Sequence, residues 1–543
     1  MDSYSTHHTR WRWHVPDYFN IGDAVCTRHA ANPAMRDKPA IWWENDAGES
    51  ATITYGELDA RALALQAQLR ALGVMGGDKI AIALPQRIET AIAHVAVYRL
   101  GAVAVPLTVL FGPDALEYRL QNADVVVLIG NDISIANVEI IRARLPRLRC
   151  VIGIETLGDE RISQTPVSAA QPAVNTRGDD PALIIYTSGT TGPPKGALLP
   201  HRALIGNLSG MVYSHNLFPQ PGDVFWSPAD WAWTGGLIDA LLPCLYFGVP
   251  IVGYQGRFDP VKSFELMAKY RVRNTFLFPT ALKAMMKALP EPRLHYDVQL
   301  RSIMAAGEAV GETVYAWSRD ALGVTLNEMF GQTELNYIVG NCNAAWPSKP
   351  GAMGRGYPGH KVGVIDAQGK EVRPGETGEV ALRRTNNNGE ADPVFFLNYW
   401  KNEKATAEKY SGEWCRTGDV ARIDNDGYLW YEGRADDVIK SAGYRIGPAE
   451  VENCLVKHEA VANAAVIGKP DAERGAIIKA FVVLQAGFAP SPALEQALRE
   501  HVRGRLAPYE YPKEFEFIDA LPMTTTGKVQ RKVLRDREMA KGA

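Results

Sequence analysis

The chain has 543 residues, more than one ordinary hydrophobic core accommodates, so two or more domains are expected. Its composition, 46% hydrophobic and 22% charged, is that of a globular protein and excludes a disordered one. A net charge of −3 excludes bulk attraction to nucleic acid or to an anionic membrane, so any anionic ligand must be held by local groups.

Six cysteines, at 26, 150, 244, 342, 415 and 454, lie far apart with no Cys-x-x-Cys pair. That spacing predicts reduced thiols in a cytoplasmic protein rather than a disulfide framework or a zinc site. Met1 to His8 lack the apolar core of a signal peptide. The uncharged stretch Ala240 to Gln255 is shorter than the roughly 20 residues of a spanning helix and carries Pro243 and Pro250. It reads as a buried helix running into a buried strand, and no integral membrane segment is expected.

Trp11, Trp13, Trp42 and Trp43 near the N-terminus read as packing residues. Thr54 and Glu57 form a capping box, and Leu58, Ala62, Leu65, Leu69 and Leu72 recur at helical spacing before Gly73. Strands are predicted at 79–84, 102–105 and 125–129, with a helix over 89–100, an alternation that implies a parallel α/β layer. An apolar strand, Ala182 to Ile185, runs into Tyr186-Thr187-Ser188-Gly189-Thr190-Thr191-Gly192-Pro193-Pro194-Lys195-Gly196. Small residues there let backbone N–H groups and hydroxyls surround phosphate oxygens, and Lys195 adds a positive charge. The glycine–lysine spacing is not that of the Gly-x-x-x-x-Gly-Lys-Ser/Thr loop. The alternation resumes with Val224 to Trp226, a helix opened by Asp230 to Gly236, a helix from Pro260, and strands at 274–277 and 302–305. Two α/β halves, about 50–180 and 181–330, are therefore expected. A turn-rich antiparallel part follows from about Gly351 to Trp430. Gly354-Arg-Gly356-Tyr-Pro-Gly359 matches a dinucleotide fingerprint by letter, but no strand leads into it and no helix follows. Beyond Gly433, a helix starts at Gly447-Pro448, strands cover 461–467 and 480–484, and a helix covers 493–506. This is an α+β unit of about a hundred residues.

Six further strings occur in order: Ala306-Gly307-Glu308; Glu328-Met329-Phe330-Gly331-Gln332-Thr333-Glu334; Trp414 to Asp419; Gly433-Arg434-Ala435-Asp436-Asp437; Ser441-Ala442-Gly443-Tyr444-Arg445 to Glu450; and Pro522 to Lys528. With the threonine loop they span residues 180 to 530. In this set the chain resembles the adenylate-forming enzymes, whose members include acyl-CoA synthetases, luciferases and peptide-synthetase adenylation domains. Gly443 to Glu452 and Ala507 to Lys513 look closest to the medium-chain acyl-CoA synthetases. The resemblance implies an α/β fold: a large N-terminal domain, 1–434, of two α/β halves plus a small β-barrel-like part, and a small mobile α+β C-terminal domain, 435–543.

The implied reaction is formation of an acyl-CoA from a carboxylic acid, ATP and coenzyme A through an acyl-adenylate. Two anions must meet, so positive groups and a magnesium ion have to offset their repulsion. The resemblance makes Lys528 the bridge between the attacking carboxylate and the α-phosphate. It makes Glu334, with Thr333, the magnesium ligand. Thr187, Ser188, Gly189, Thr190, Thr191, Gly192 and Lys195 are implied phosphate contacts. Asp419 is implied at the ribose, Arg434 at a phosphate or the ribose, and Gly307, Glu308 and Glu328 to Phe330 at the adenine, with Gly331, Gln332 and Thr333 as further cofactor contacts and Phe330 where relatives often carry tyrosine. Asp436 matches the hinge. Ala442, Gly443, Tyr444, Arg445, Arg474, Tyr511, Pro512 and Lys513 are the implied coenzyme A contacts, with Leu110 and Glu510 departing from the medium-chain pattern. Trp233 matches a residue of the acyl channel. Gly331 stands where acetate-specific relatives carry tryptophan, which implies room for medium-chain, branched or aromatic acids.

The alternatives are a stand-alone adenylating enzyme that loads a separate carrier protein, a short-chain acetate or propionate ligase, and a non-catalytic nucleotide sensor. The Pro522–Lys528 string also resembles the site at which a lysine acetyltransferase switches off bacterial acyl-CoA synthetases.

Overall fold

The computed structural model describes residues 3–153, 173–187, 193–307, 310–435, 437, 439–441, 444–471, 475–506, 510–524 and 528–542. Two large mixed sheets carry the first two-thirds of the chain. The seven-stranded sheet runs Asn398–Tyr399, Lys195–Pro200, Pro181–Thr187, Val103–Pro106, Lys79–Ala83, Val125–Gly130, Cys150–Gly153. The nine-stranded sheet runs Arg355–Gly356, Leu335–Gly340, Asn327–Gln332, Ser302–Ala306, Asn274–Leu277, Phe225–Trp226, Ile251–Gln255, Pro39–Asn45, Ser50–Thr54. Their inner strands are parallel and their edges antiparallel, except that the Cys150–Gly153 edge runs parallel to Val125–Gly130.

The expected division at about residue 180 is corrected. Pro181–Thr187 lies parallel to Val103–Pro106, with Leu183 opposite Ala104, so it belongs to the earlier sheet. Pro39–Asn45 pairs with Ile251–Gln255 and so belongs to the later one. The α/β class stands, but the halves exchange strands.

Local signals read from the sequence act where expected. Thr54 and Glu57 make a reciprocal capping box at the start of the Tyr55–Ala71 helix, and Asp259 caps Pro260–Lys269 through the Lys262 N–H at 2.7 Å. The helix after Trp233 passes through a π-helical stretch, Leu237–Leu241, and ends at Phe247 before the Ile251–Gln255 strand. The turn-rich part is an antiparallel sheet of Val362–Ile365, Thr377–Arg383, Trp414–Ile423, Tyr410–Ser411 and Leu429–Arg434. Arg355–Gly356 is a two-residue strand with no helix after it, in keeping with rejection of the dinucleotide fingerprint.

From Ile439 onward the chain builds its own cores, around Val451, Leu455, Val466 and Leu498 and around Phe481 and Leu534. Its elements include two not expected from the sequence, the Glu514–Phe517 strand and the Arg531–Gly542 helix. All six cysteines are free thiols. Among the described residues no helix is long and apolar enough to cross a membrane.

The fully buried Ala203–Ser214 helix lies against Leu335–Gly340. Close approach is possible because a Cβ at Gly206 would stand 2.4 Å from the Val394 backbone, and one at Gly210 2.2 Å from Tyr337 Cβ. Gly206→Ala is therefore expected to destabilise the protein by about 1–3 kcal/mol through overpacking, read as a lower urea midpoint. An unchanged midpoint would show that the contact yields at no cost.

Candidate active site

Three sheets converge on a small set of buried polar groups. The threonine loop is a hairpin connection: Pro181–Thr187 and Lys195–Pro200 pair antiparallel with Thr187 opposite Lys195, and Thr187 Oγ1 donates to the Lys195 carbonyl at 3.3 Å. Ser188, Gly189, Thr190, Thr191 and Gly192 lie outside the described residues. The hairpin's outer strand pairs with Asn398–Tyr399, placing Tyr399 opposite Ala197. Tyr399 links two predicted site residues. Its hydroxyl donates to Glu334 Oε1, and Lys195 Nζ lies 5.3 Å from the centre of its ring. Burial first, then the Glu334 carboxylate, push the Tyr399 hydroxyl pKa well up, so it stays a donor at all ordinary pH.

Glu334 follows the Asn327–Gln332 strand and is 6% exposed. Thr333 faces Thr234 across a hydroxyl–hydroxyl contact of 2.8 Å. Trp233, beside Thr234, meets Phe111 edge-on at 5.8 Å. Gln332 joins the third sheet: its amide donates to the Thr417 carbonyl at 2.6 Å and to Asp419, and its oxygen accepts from Lys409 Nζ at 2.9 Å. Asp419 is 5% exposed, pairs in register with Arg434, and accepts from Arg434 Nη1 at 3.1 Å and from the Tyr431 hydroxyl at 3.4 Å. Burial raises the Asp419 pKa, while Arg434, Lys528 and Lys409, in that order, draw it back.

Lys528 thus counts among the cations that act on Asp419, although the two are far apart in sequence. Lys528 is exposed, on a tight turn in which its N–H donates to Thr524 Oγ1 at 3.0 Å and its carbonyl accepts from the Thr524 N–H at 2.7 Å. Arg531, just beyond, is clasped by Glu452 at 2.6 Å and Asp437 at 3.3 Å. Arg531 thus opens a formed helix and is clasped, whereas Lys528 precedes that helix and is exposed.

Other predicted residues sit differently. Met329 joins the hydrophobic core, and Glu328, 6% exposed, accepts the Gly351 N–H at 3.2 Å, with burial pushing its carboxyl up to about 8. Any nucleotide contact there falls to their backbone, and Phe330 is the half-buried ring of the string. Gly307 has φ +94° at the end of Ser302–Ala306, and Glu308 lies outside the described residues. Gly331 is partly exposed, and a side chain on it would press on the neighbouring strand. A Cβ there would stand 2.5 Å from Tyr337 N and 3.0 Å from Asn336 Oδ1. This glycine serves strand-to-strand approach.

Tyr511 stacks with Lys513 Nζ at 3.8 Å and Arg503 at 5.5 Å, and the Lys513 N–H donates to Ile478, so Tyr511 to Lys513, with Pro512 between, pack within the C-terminal unit. Tyr444 and Arg445 lie on a short strand paired with Ile439–Ser441. Ala442, Gly443, Arg474 and the hinge residue Asp436 lie outside the described residues.

The sequence reading missed Tyr399, Lys409, Thr234, Tyr431 and Asp239. Asp239, in the π-helical stretch, is fully buried behind Gly331 and accepts from Asn336, which also donates to Asn207 Oδ1 at 2.7 Å. A carboxylate inside an otherwise apolar helix, Leu237 to Leu245, was its one legible signal.

The chain matches the family model for AMP-binding enzymes over residues 27–388, and the model for their C-terminal domain over 450–528. It is 33% identical over 507 residues to an uncharacterized acyl–CoA ligase, YtcI, of Bacillus subtilis (strain 168), covering 93% of this chain and 94% of that one. It is 33% identical over 540 residues to the mitochondrial acyl-coenzyme A synthetase ACSM4 of Homo sapiens, with 96% and 91% covered. The crystal structure of the anthranilate CoA ligase AuaEII in complex with anthranoyl-AMP superposes with a TM-score of 0.86 at 29% identity, covering 97% and 99% of the two chains.

Burial pushes the Asp239 carboxyl up to about 7 from 3.8. The native state then holds a proton that the unfolded chain has lost, so this group lowers stability as pH rises from about 4 to 7, and the loss stays constant above. Asp239→Asn should raise the melting temperature at pH 8, by no more than about 4 kcal/mol of stability, with the gain fading toward pH 4. A gain of equal size at both pH values would refute the assignment.

Proposed function

The chain belongs to the AMP-binding enzymes and is an ATP-dependent acid–CoA ligase, and from that premise we propose how its residues divide the work. In the first half-reaction the acid's carboxylate attacks the α-phosphorus of ATP, and acyl-adenylate and pyrophosphate form. In the second, the coenzyme A thiol attacks the acyl carbon and AMP leaves. The observation that supports this reading is the cluster of nearly buried polar groups drawn from three sheets, with Tyr399 on Glu334, Thr234 on Thr333, and Gln332 and Arg434 on Asp419.

Lys528 bridges the attacking carboxylate and the α-phosphate, so its charge offsets the repulsion between them as they close. Asp419 receives the ribose hydroxyls, and Arg434 holds its carboxylate ionised and aimed. Thr187 and Lys195, with residues 188–192, surround the β- and γ-phosphates. Tyr399 aims Glu334 and keeps one of its oxygens occupied. Among the described residues no group of three or more metal-binding side chains is found. A single buried carboxylate with Thr333 beside it nevertheless fits magnesium, which takes most of its ligands from nucleotide phosphates and water. When bound, the ion supplies further positive charge at the phosphates.

Residues 435–543 form a lid that turns about Asp436 between the half-reactions. The turn withdraws Lys528 and brings Ala442, Gly443 and Tyr444 to the site for the thiol. Arg445, Arg474 and Tyr511 to Lys513 meet the nucleotide of coenzyme A. The acid is medium-chain, branched or aromatic, in keeping with the relatives named for acyl and anthranilate substrates. Acetylation of Lys528 by a lysine acetyltransferase would remove the bridging charge. We place the enzyme in the cytoplasm, supported by six free thiols.

Given a panel of acids with ATP and coenzyme A, the enzyme should release AMP and form acyl-CoA. Lys528→Ala should lower acyl-adenylate formation by about 100-fold or more while sparing thioester formation from supplied acyl-adenylate. Equal loss of both half-reactions contradicts the bridging role. Arg531→Lys keeps the charge but loses the guanidinium fork that Glu452 grips. It should slow adenylate formation about tenfold, and leave the thioester step within about twofold. Equal slowing of both steps would make the clasp merely structural.

A further inference from the structure

Lys409 spends its charge on neutral oxygens. It follows the short Glu403–Glu408 helix and is half-buried. Among the described residues its ammonium pairs with no carboxylate. It donates instead to Gln332 Oε1 at 2.9 Å and to the Arg416 carbonyl at 3.0 Å. The backbone closes the second contact from the other side, with the Arg416 N–H donating to the Lys409 carbonyl at 2.7 Å. Lys409 is thereby pinned to the Trp414–Ile423 strand, just ahead of Thr417 and Asp419, while its ammonium holds a side chain from the nine-stranded sheet.

That side chain has one accepting end and one donating end. The Gln332 amide nitrogen donates to the Thr417 carbonyl at 2.6 Å and to Asp419 Oδ2, which leaves its oxygen for Lys409. An ammonium only donates, and a carbonyl or carboxylate only accepts, so a single orientation of the amide satisfies all three contacts. Turned over, the amide would set its oxygen against the Thr417 carbonyl and Asp419, and its NH2 against the ammonium. Remove the ammonium, and the oxygen loses its donor while the cost of turning over falls.

The consequence reaches Asp419. Gln332 and Arg434 both donate to its Oδ2, whereas Oδ1 has the Tyr431 hydroxyl at 3.4 Å. Oδ1 is thus the freer oxygen for an incoming hydroxyl. We infer that Lys409 is a positioning residue for nucleotide recognition: by fixing the Gln332 amide it holds Asp419 with Oδ1 turned to the ribose hydroxyls. This rests on the reading of Asp419 as the ribose acceptor and adds to it a residue that acts only through another. Asp419 has to be ionised to accept hydroxyls. Burial works against that, and Lys409 is among the cations that offset it, after Arg434 and Lys528.

The test measures pyrophosphate release with ATP and with 2′,3′-dideoxy-ATP, coenzyme A present, in the wild type, Lys409→Met and Lys409→Arg. The acid is the one of the panel that the wild type turns over fastest. The wild type should prefer ATP by about 100-fold or more in kcat/KM, because a site built for hydroxyls rejects an analogue that lacks them. Lys409→Met keeps the stem and removes the donor. It should cut that preference about tenfold through a higher KM for ATP, with dideoxy-ATP kinetics within about twofold of the wild type. Lys409→Arg still donates and should hold the preference within about threefold. Should Lys409→Met not fold, Lys409→Ala takes its place, with the same direction expected. An unchanged preference in the methionine or alanine variant, or an equal loss with both nucleotides, overturns the positioning role. A wild type that uses both nucleotides equally overturns the ribose role of Asp419 and this inference with it. A wild type that releases no pyrophosphate with any acid overturns the ligase reading instead.

Discussion

The arrangement depends on two carboxylates held almost out of water where three sheets meet. Isolated in such a place, Glu334 and Asp419 would be costly or would take up protons. Each is instead tied to neighbours from another sheet. Tyr399 comes from the edge of the seven-stranded sheet to Glu334. Gln332, at the end of a strand in the nine-stranded sheet, reaches Asp419 and the Thr417 carbonyl. The same bonds that satisfy the carboxylates hold the sheets together, so the polar centre is a structural joint as well as a reaction site.

This joint explains why cations come from such different places. The protein has no bulk positive charge, with a net of −3, so each anion must be met locally. Arg434 belongs to the same sheet as Asp419 and is fixed by strand register. Lys409 reaches the site through Gln332. Lys528 differs from both because it is exposed on a turn of the C-terminal unit. A strongly hydrated ammonium on a long stem is the less fixed of the two kinds of charge, and the guanidinium of Arg434 is locked into a ladder.

Much of this was legible in the amino-acid sequence, and the reasons differ from residue to residue. Thr54, Asp259 and Gly447-Pro448 mark helix starts through chemistry complete within one turn, and each does so in the structure. The threonine loop, the Glu334 string and Asp419 were visible as motifs. Sheet membership was not, because which strand lies beside Pro181–Thr187 is decided by packing across the chain. Tyr399 escaped because its role comes only from pairing with a distant hairpin. Gly331 is ambiguous from the sequence because a glycine in a strand signals either free space or a near neighbour, and its closeness to Tyr337 and Asn336 shows only in the fold.

The exchange of strands between the two large sheets bears on how the protein comes into being. Pro39–Asn45, with Ser50–Thr54 on its outer side, leaves the start of the chain to border Ile251–Gln255, a strand made some two hundred residues later. Pro181–Thr187 and Lys195–Pro200 must return to a layer begun by Lys79–Ala83. Neither layer closes until most of the other has been synthesised, so on the ribosome the nascent polypeptide exposes unpaired strand edges for a long interval. Such long-range pairing makes acquisition of the native state slow and concerted, and it ties the integrity of the adenylate-forming centre to the whole of residues 39 to 434 rather than to any separable piece.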